Sequence, residues 1–186
     1  MPTAVTAAVT AVTFAALYAG HQLGDHVVQT NTAALSKGAP TGDLLAAGVH
    51  PWHGWWACLR HVGTYTAAQA VALLLVSVAA PLGWAGGTAA LAVSAGTHAV
   101  IDRRWIVRLL IQAKDCEDWR EAPYLLDQSL HVGALLVAAV LAAVVTTAGA
   151  TTAVAAGTAA LVGAALVAEK RLAAAARSAP TRAVRP

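Results

Sequence analysis

Four His/Asp or His/Tyr pairs stand one helical turn apart: His21 with Asp25, His61 with Tyr65, His98 with Asp102, and Asp127 with His131. A spacing of four puts both side chains of a pair on one face of a helix. Imidazole and carboxylate together are the ligand chemistry of zinc and non-haem iron, and helical bundles build metal sites from facing helices. The three aspartates lie in apolar surroundings. An unpaired carboxylate at the centre of a spanning helix costs roughly 2.5 to 3.5 kcal/mol, less near the interface. A divalent cation would offset that charge and account for the histidines at the same time.

The expected metal set is His21, Asp25, His61, His98, Asp102, Asp127 and His131. Zinc is the first choice of ion, with iron or a two-metal centre sharing carboxylates as alternatives. Asp25 and Asp102 are the candidate general bases. Tyr65 is the candidate hydrogen-bond donor to a developing oxyanion. Gln29 and Gln128 stand where they could bond into the set. His26 points about 100° away from Asp25 and reads as interfacial. His50 and His53 fall in a Trp-rich loop and read as solvated.

The elements that must position these residues are apolar helices. The chain has 186 residues, of which 58% are hydrophobic and 11% charged, and its mean hydropathy is +0.62. Soluble domains carry about 25% charge, so the composition indicates an all-α, polytopic membrane helical bundle. Five stretches approach the ~20 residues that a crossing requires: 4–26, 57–80, 84–104, 124–148 and 151–168. The first has no Lys or Arg ahead of its apolar run and continues into His21 and Asp25, so it reads as a retained span. Residues 1–172 form the bundle on this reading, and 173–186 a basic disordered tail. Gly83 and Gly87 form a GxxxG whose alternative meaning is a flexible turn beside Pro81.

The connections set the orientation. Lys37, Arg60, Arg103, Arg104, Arg108, Lys114, Arg120, Lys170, Arg171, Arg177, Arg182 and Arg185 all fall on one side of a five-crossing arrangement. Four or six crossings would divide them. The positive-inside rule makes that side cytoplasmic, with the N-terminus outside and the C-terminus inside an inner (cytoplasmic) membrane. Residues 105–113 mix Ile and Leu with flanking Arg and Lys, which fits a short amphipathic helix or an extension of the third span. All four polar pairs then fall in one layer, roughly 5 to 12 Å below the inner interface. The basic charge suits an anionic membrane face and does not argue for nucleic acid. The two cysteines, Cys58 and Cys116, form no CxxC, which argues against a thiolate zinc site.

Asp25-His26-Val27-Val28-Gln29, His61-Val62-Gly63-Thr64-Tyr65, His98 to Asp102 and Asp127-Gln128-Ser129-Leu130-His131, in that order, resemble the pattern of a bacterial integral-membrane family, domain of unknown function 3307. The resemblance runs from about Gly20 to His131. His26 stands where the family pattern has Phe. The family implies positions for the site more than a reaction.

The residues support a metal-dependent hydrolase opening towards the cytoplasmic leaflet and acting on a lipid or lipid-linked substrate. The alternatives are a proton- or ion-coupled transporter that uses the set as a relay, and a structural subunit whose polar network holds helices together.

Overall fold

The computed structural model describes residues 3–178, and among these every regular element is helical. Helix α1 (Ala4–Leu23) runs into a π-helical turn (Gly24–Val28), followed by α2 (Asn31–Ser36), α3 (Gly42–Ala46), α4 (Trp55–Ser77), α5 (Trp84–Ile101), α6 (Trp105–Ala113), α7 (Ala122–Val144) and α8 (Ala148–Ser178). Local chemistry explains the starts. Thr3, Thr30 and Thr41 each cap a helix by accepting a hydrogen bond from the backbone N–H three residues on. Pro123 sits in the first turn of α7, where its missing N–H costs nothing.

Helix α5 is the axis of the bundle. It packs against α4, α7 and α8, while α1 closes the ring by packing against α4 and α7. The core is built from small side chains: Ala90, Ala138, Ala139 and Ala142 beside Leu17, Leu73, Val93 and Leu135. Gly86 is the tightest point. A Cβ there would collide with the Ala142 carbonyl of α7, which is backbone and cannot step aside. Gly86→Ala should therefore cost about 1 to 3 kcal/mol or more, as overpacking does, read as a lower unfolding midpoint. Gly83 and Gly87 make no such approach: nothing lies within 4 Å of a Cβ at Gly83, and Gly87 would meet only the Leu82 side chain. The GxxxG is thus not the packing seam; Gly83 simply caps α5.

Three helical stretches are long and apolar enough to cross a membrane, Ala4–Val28, Ala122–Val144 and Ala148–Ser178, where the sequence reading expects five. The two that fall short are α4 and α5. Their apolar character is diluted by the residues that make them interesting: His61, Thr64, Tyr65, Thr66 and Gln69 on α4, and Thr88, Ser94, Thr97 and His98 on α5. Large apolar side chains nevertheless face outward on α4 as on the others, among them Leu59, Val71, Leu74 and Leu75.

Other boundaries move too. Helix α8 continues to Ser178, so 173–178 are helical and not a frayed tail; 179–186 lie outside the described residues. Residues 105–113 form a separate helix and not an extension of α5. The break is at Arg104, which takes a left-handed φ of 61°. The loop from Asn31 to His53 carries α2 and α3, the latter packed on α8.

One end of the bundle gathers the basic residues. Arg108 reaches the Pro40 carbonyl, Arg177 the Val49 carbonyl, and Lys170 lies over the Trp52 ring. Arg103 is fully buried at the same end. Its guanidinium donates to Glu169 of α8 at 2.7 Å, to the Lys37 carbonyl at 2.7 Å and to the His53 carbonyl at 2.9 Å, and it stacks 4.6 Å above Trp55. Gly54, at φ 84°, leaves room for this arrangement: a Cβ there would strike the Ser36 and Gly38 carbonyls and the guanidinium itself.

Candidate metal centre

Three helical segments place four polar residues against one another at this same end. His61 comes from α4, His98 from α5, Asp102 from the C-cap of α5, and Asp25 from the π turn after α1. The turn closes with the Gln29 N–H donating to the Gly24 carbonyl at 3.0 Å. Such single π turns inside α-helices often mark functional positions. Gly24 permits the close pass of α1 over α4, since a Cβ there would lie 2.9 Å from the Tyr65 ring.

Four donor atoms converge. His61 Nε2 lies 3.0 Å from Asp25 Oδ1, 3.4 Å from Asp102 Oδ2 and 3.0 Å from His98 Nε2. His98 Nε2 lies 3.5 Å from Asp25 Oδ1 and 3.1 Å from Asp102 Oδ2. An ion bound tetrahedrally at 2.0–2.1 Å sets its ligand atoms about 3.3 to 3.4 Å apart. Five separations among these atoms lie between 3.0 and 3.5 Å, close to that spacing. Two of the five, His61 Nε2 to Asp25 Oδ1 and His98 Nε2 to His61 Nε2, are hydrogen bonds; the other three are not. Asp102 Oδ2 is buried yet has no aligned donor among the described residues, although His98 Nε2 stands 3.1 Å away. His61, His98 and Asp102 form one group able to hold a metal ion, and His21, Asp25 and His98 form another.

The rest of the expected set surrounds these four. His21 and His131 are buried, with ring centroids 4.9 Å apart. His21 Nε2–H donates to Gln128 Oε1 at 3.1 Å, the role expected for Gln128. His131 Nδ1–H donates to the Asp127 carbonyl at 2.9 Å. Asp127 thus serves His131 mainly through its backbone. Its carboxylate is partly exposed, 3.5 Å behind the ring, and stands outside the group of converging donors. Tyr65 is buried, but its hydroxyl is engaged by Ser94 at 3.0 Å and by the Gln69 amide at 2.7 Å. It meets the site through its ring, stacked on His98 with centroids 3.6 Å apart. Its place is that of a support for His98, in contrast to the expected oxyanion donor. The Nδ1 atoms of His61 and His98 are buried without a hydrogen-bond partner among the described residues. Stacking on Tyr65 and the Nε2 contact with His61 therefore hold the His98 ring, with no help from its Nδ1.

His26 is exposed beside Tyr124, and His50 and His53 are exposed. The residue that sequence reasoning misses is Lys37. It is buried, and its Nζ lies 2.8 Å from Asp102 Oδ1. Only its basic character in a Gly/Pro-containing loop was visible, which reads as a solvated charge. The buried Gln69–Tyr65–Ser94 chain was likewise hidden, because Gln69 meets Tyr65 within α4 and Ser94 across to α5.

A cleft of about 80 Å³ between the π turn, α2 and α4 reaches His61; Gln29, Thr30, Arg60 and Thr64 are among its walls. One water needs about 10 to 15 Å³ of such space, so the cleft has room for several waters beside His61.

No curated protein and no solved structure matches the chain. A family profile does, over residues 13–159, a stretch that contains every residue of the converging group and the first turns of α8. The chain belongs to the family described as Protein of unknown function (DUF3307).

Proposed function

We propose that this protein is a membrane-embedded metal-binding protein, and that His61, His98, Asp102 and Asp25 hold one divalent cation, zinc first among the candidates. The observation that carries the reading is the convergence of four buried or half-buried donor atoms at 3.0 to 3.5 Å. Five crossings with the C-terminus in the cytoplasm are supported by the outward-facing Leu and Val of α4 and by the basic residues gathered at one end. The centre then lies in the cytoplasmic leaflet.

The reaction class we propose is hydrolysis of a lipid or lipid-linked ester, amide or phosphoester. A divalent cation in this set would supply Lewis acidity and lower the pKa of water towards about 7. The two aspartates differ in how they are held. Asp102 is pinned by Lys37 and is the permanent ligand. Asp25 rides on the π turn beside the water-sized cleft. It is the one placed to release the ion, accept a proton from the attacking water and return it to the leaving group. An acyl substrate requires the π turn and α2 to part from α4.

Elemental analysis of the full chain purified in detergent tests the centre: about one equivalent is expected, and less than about half an equivalent would end it. Asp25→Asn tests the reaction on short fluorogenic acyl and phosphoryl esters in mixed micelles. The amide keeps an oxygen donor towards the ion but cannot act as a base, so the variant should retain the metal and lower kcat about 100-fold or more, the usual contribution of a general base.

One observation favours a second reading. Four protein donors complete a tetrahedral shell, and closed shells are the mark of structural zinc. A chain that carries its metal, melts lower when stripped of it and hydrolyses no ester would be such a protein.

A further inference from the structure

A cavity of about 340 Å³ lies between α3, α6 and α8, at the end of the bundle where the basic residues gather. Its walls belong to elements with different partners: α3 packs on α8, whereas α6 packs on α7 and α5. Leu45 of α3, Leu109 of α6 and Leu172 of α8 line it, together with Trp105 and Arg108 of α6. Sites for small organic ligands begin at about 300 Å³, so the space is far larger than a few waters need.

The charges on its walls do not balance. Glu169 is the one carboxylate lining the cavity among the described residues, and the Arg103 guanidinium already holds both of its oxygens, at 2.7 to 3.2 Å. Arg108 has no ion pair among the described residues. Its guanidinium donates to the Pro40 carbonyl at 3.5 Å, the outer limit of a hydrogen bond. Five N–H donors in a flat fork are available on such a side chain, and the fork matches the oxygens of a phosphate two at a time. Arg104, four residues earlier, is exposed and adds to the positive surplus.

The apolar part of the lining continues to the surface, since Leu109 and Leu172 are 42% and 38% exposed. Helix α6 is amphipathic, with Val107 buried, Gln112 exposed and Arg104 and Lys114 at its ends. Helices of that kind lie in the interface of a membrane. An occupant that satisfies the cavity therefore has one anionic end and an apolar remainder.

We propose that this cavity binds an anionic phospholipid, its headgroup phosphate held by Arg108 and its acyl chains leaving over Leu109 and Leu172. The inference rests on the membrane placement proposed above and is independent of the metal. A zwitterionic headgroup offers the same phosphate, but the positive surplus on the wall disfavours its ammonium. Inorganic phosphate offers the charge and nothing for the leucines.

The test is native mass spectrometry of the full chain in a nonionic detergent, titrated with dioctanoyl phosphatidylglycerol and separately with dioctanoyl phosphatidylcholine. Wild type should take up one phosphatidylglycerol, with about tenfold preference over phosphatidylcholine. Arg108→Gln should lose that preference, because one charge-assisted hydrogen bond is worth about tenfold or more in affinity. Arg120→Gln removes an exposed arginine that does not line the cavity and should bind as wild type does. Leu172→Trp fills the cavity from α8 with the charges intact and should lose both lipids, which keeps the test decisive should Arg108→Gln fail to accumulate. Excess inorganic phosphate should leave the lipid adduct in place; displacement assigns the cavity to a soluble anion and overturns the proposal. Equal uptake of the two lipids by wild type, or undiminished phosphatidylglycerol on Arg108→Gln or Leu172→Trp, overturns the lipid site and leaves the membrane placement standing. A chain recovered from cells without detergent in the soluble fraction overturns the placement and the inference together.

Discussion

His98→Ala is expected to strip the protein of its metal. The wild-type chain should carry about one equivalent and the variant less than about a tenth of that, because one of four donors is gone and the other three no longer enclose the ion. The argument rests on position. His98 is the residue common to both groups able to hold an ion, and its Nε2 lies within 3.0 to 3.5 Å of His61, Asp25 and Asp102. Metal that binds the native state alone also stabilises it, by about 4 kcal/mol when present at a thousandfold excess over Kd. Chelation should therefore lower the melting temperature of wild type and leave that of His98→Ala unmoved. His98→Gln fills most of the vacated space under Tyr65, so it separates loss of the ion from loss of the stacked ring. Gln128→Ala is the contrasting case. It touches His21 and none of the four converging donors, and it should keep its metal. Retention of a full equivalent by both His98 variants would remove the centre from these residues.

The sequence carried the site further than it carried the membrane topology. A spacing of four is a property of the helix itself, so His98 with Asp102 and His21 with Asp25 could be placed on common faces without coordinates. Their convergence followed from where each pair stands along its helix. The depth of a residue is countable, whereas the rotation of one helix against another is not. That is why Tyr65, which does reach His98, turns its hydroxyl to Ser94 and Gln69 and only its ring to His98. It is also why Asp127 supports His131 by its carbonyl while its carboxylate stays partly exposed. The π turn was invisible because periodicity reports the average helix, and an i→i−5 closure at Gly24 and Gln29 is a local departure from it. The five expected crossings rested on apolar length. In α4 and α5 that measure is lowered by His61, Gln69, His98 and their polar neighbours, so these two helices fall short and three stretches are apolar enough to cross. Lys37 was out of reach for a different reason. It sits in a connection whose path is set by distant partners, not by its own residues.

Those partners yield the second large effect. Arg103→Ala should lower stability by about 3 to 5 kcal/mol, the cost of breaking a buried ion pair from one side. Arg103 is fully buried, and its removal leaves the Glu169 carboxylate without its bidentate partner. It also leaves the carbonyls of Lys37 and His53 without their donor, at about 1 kcal/mol each. Arg103→Lys should recover little. An ammonium keeps the charge but cannot serve a carboxylate by a planar fork while reaching two carbonyls and lying flat on Trp55. Arg103→Met with Glu169→Leu removes both charges, and replacing a buried pair by apolar residues is often close to neutral. The double variant should therefore unfold nearer to wild type than Arg103→Ala does. The effect reaches the metal as well, because the carbonyl held by Arg103 belongs to the residue whose ammonium pins Asp102. Arg103→Ala should thus loosen the ion, whereas a cavity variant of equal cost in the Leu17–Leu135 core should not. An unfolding midpoint within about 1 kcal/mol of wild type would show that the clamp is not what ties α8 and the Lys37 loop to the centre.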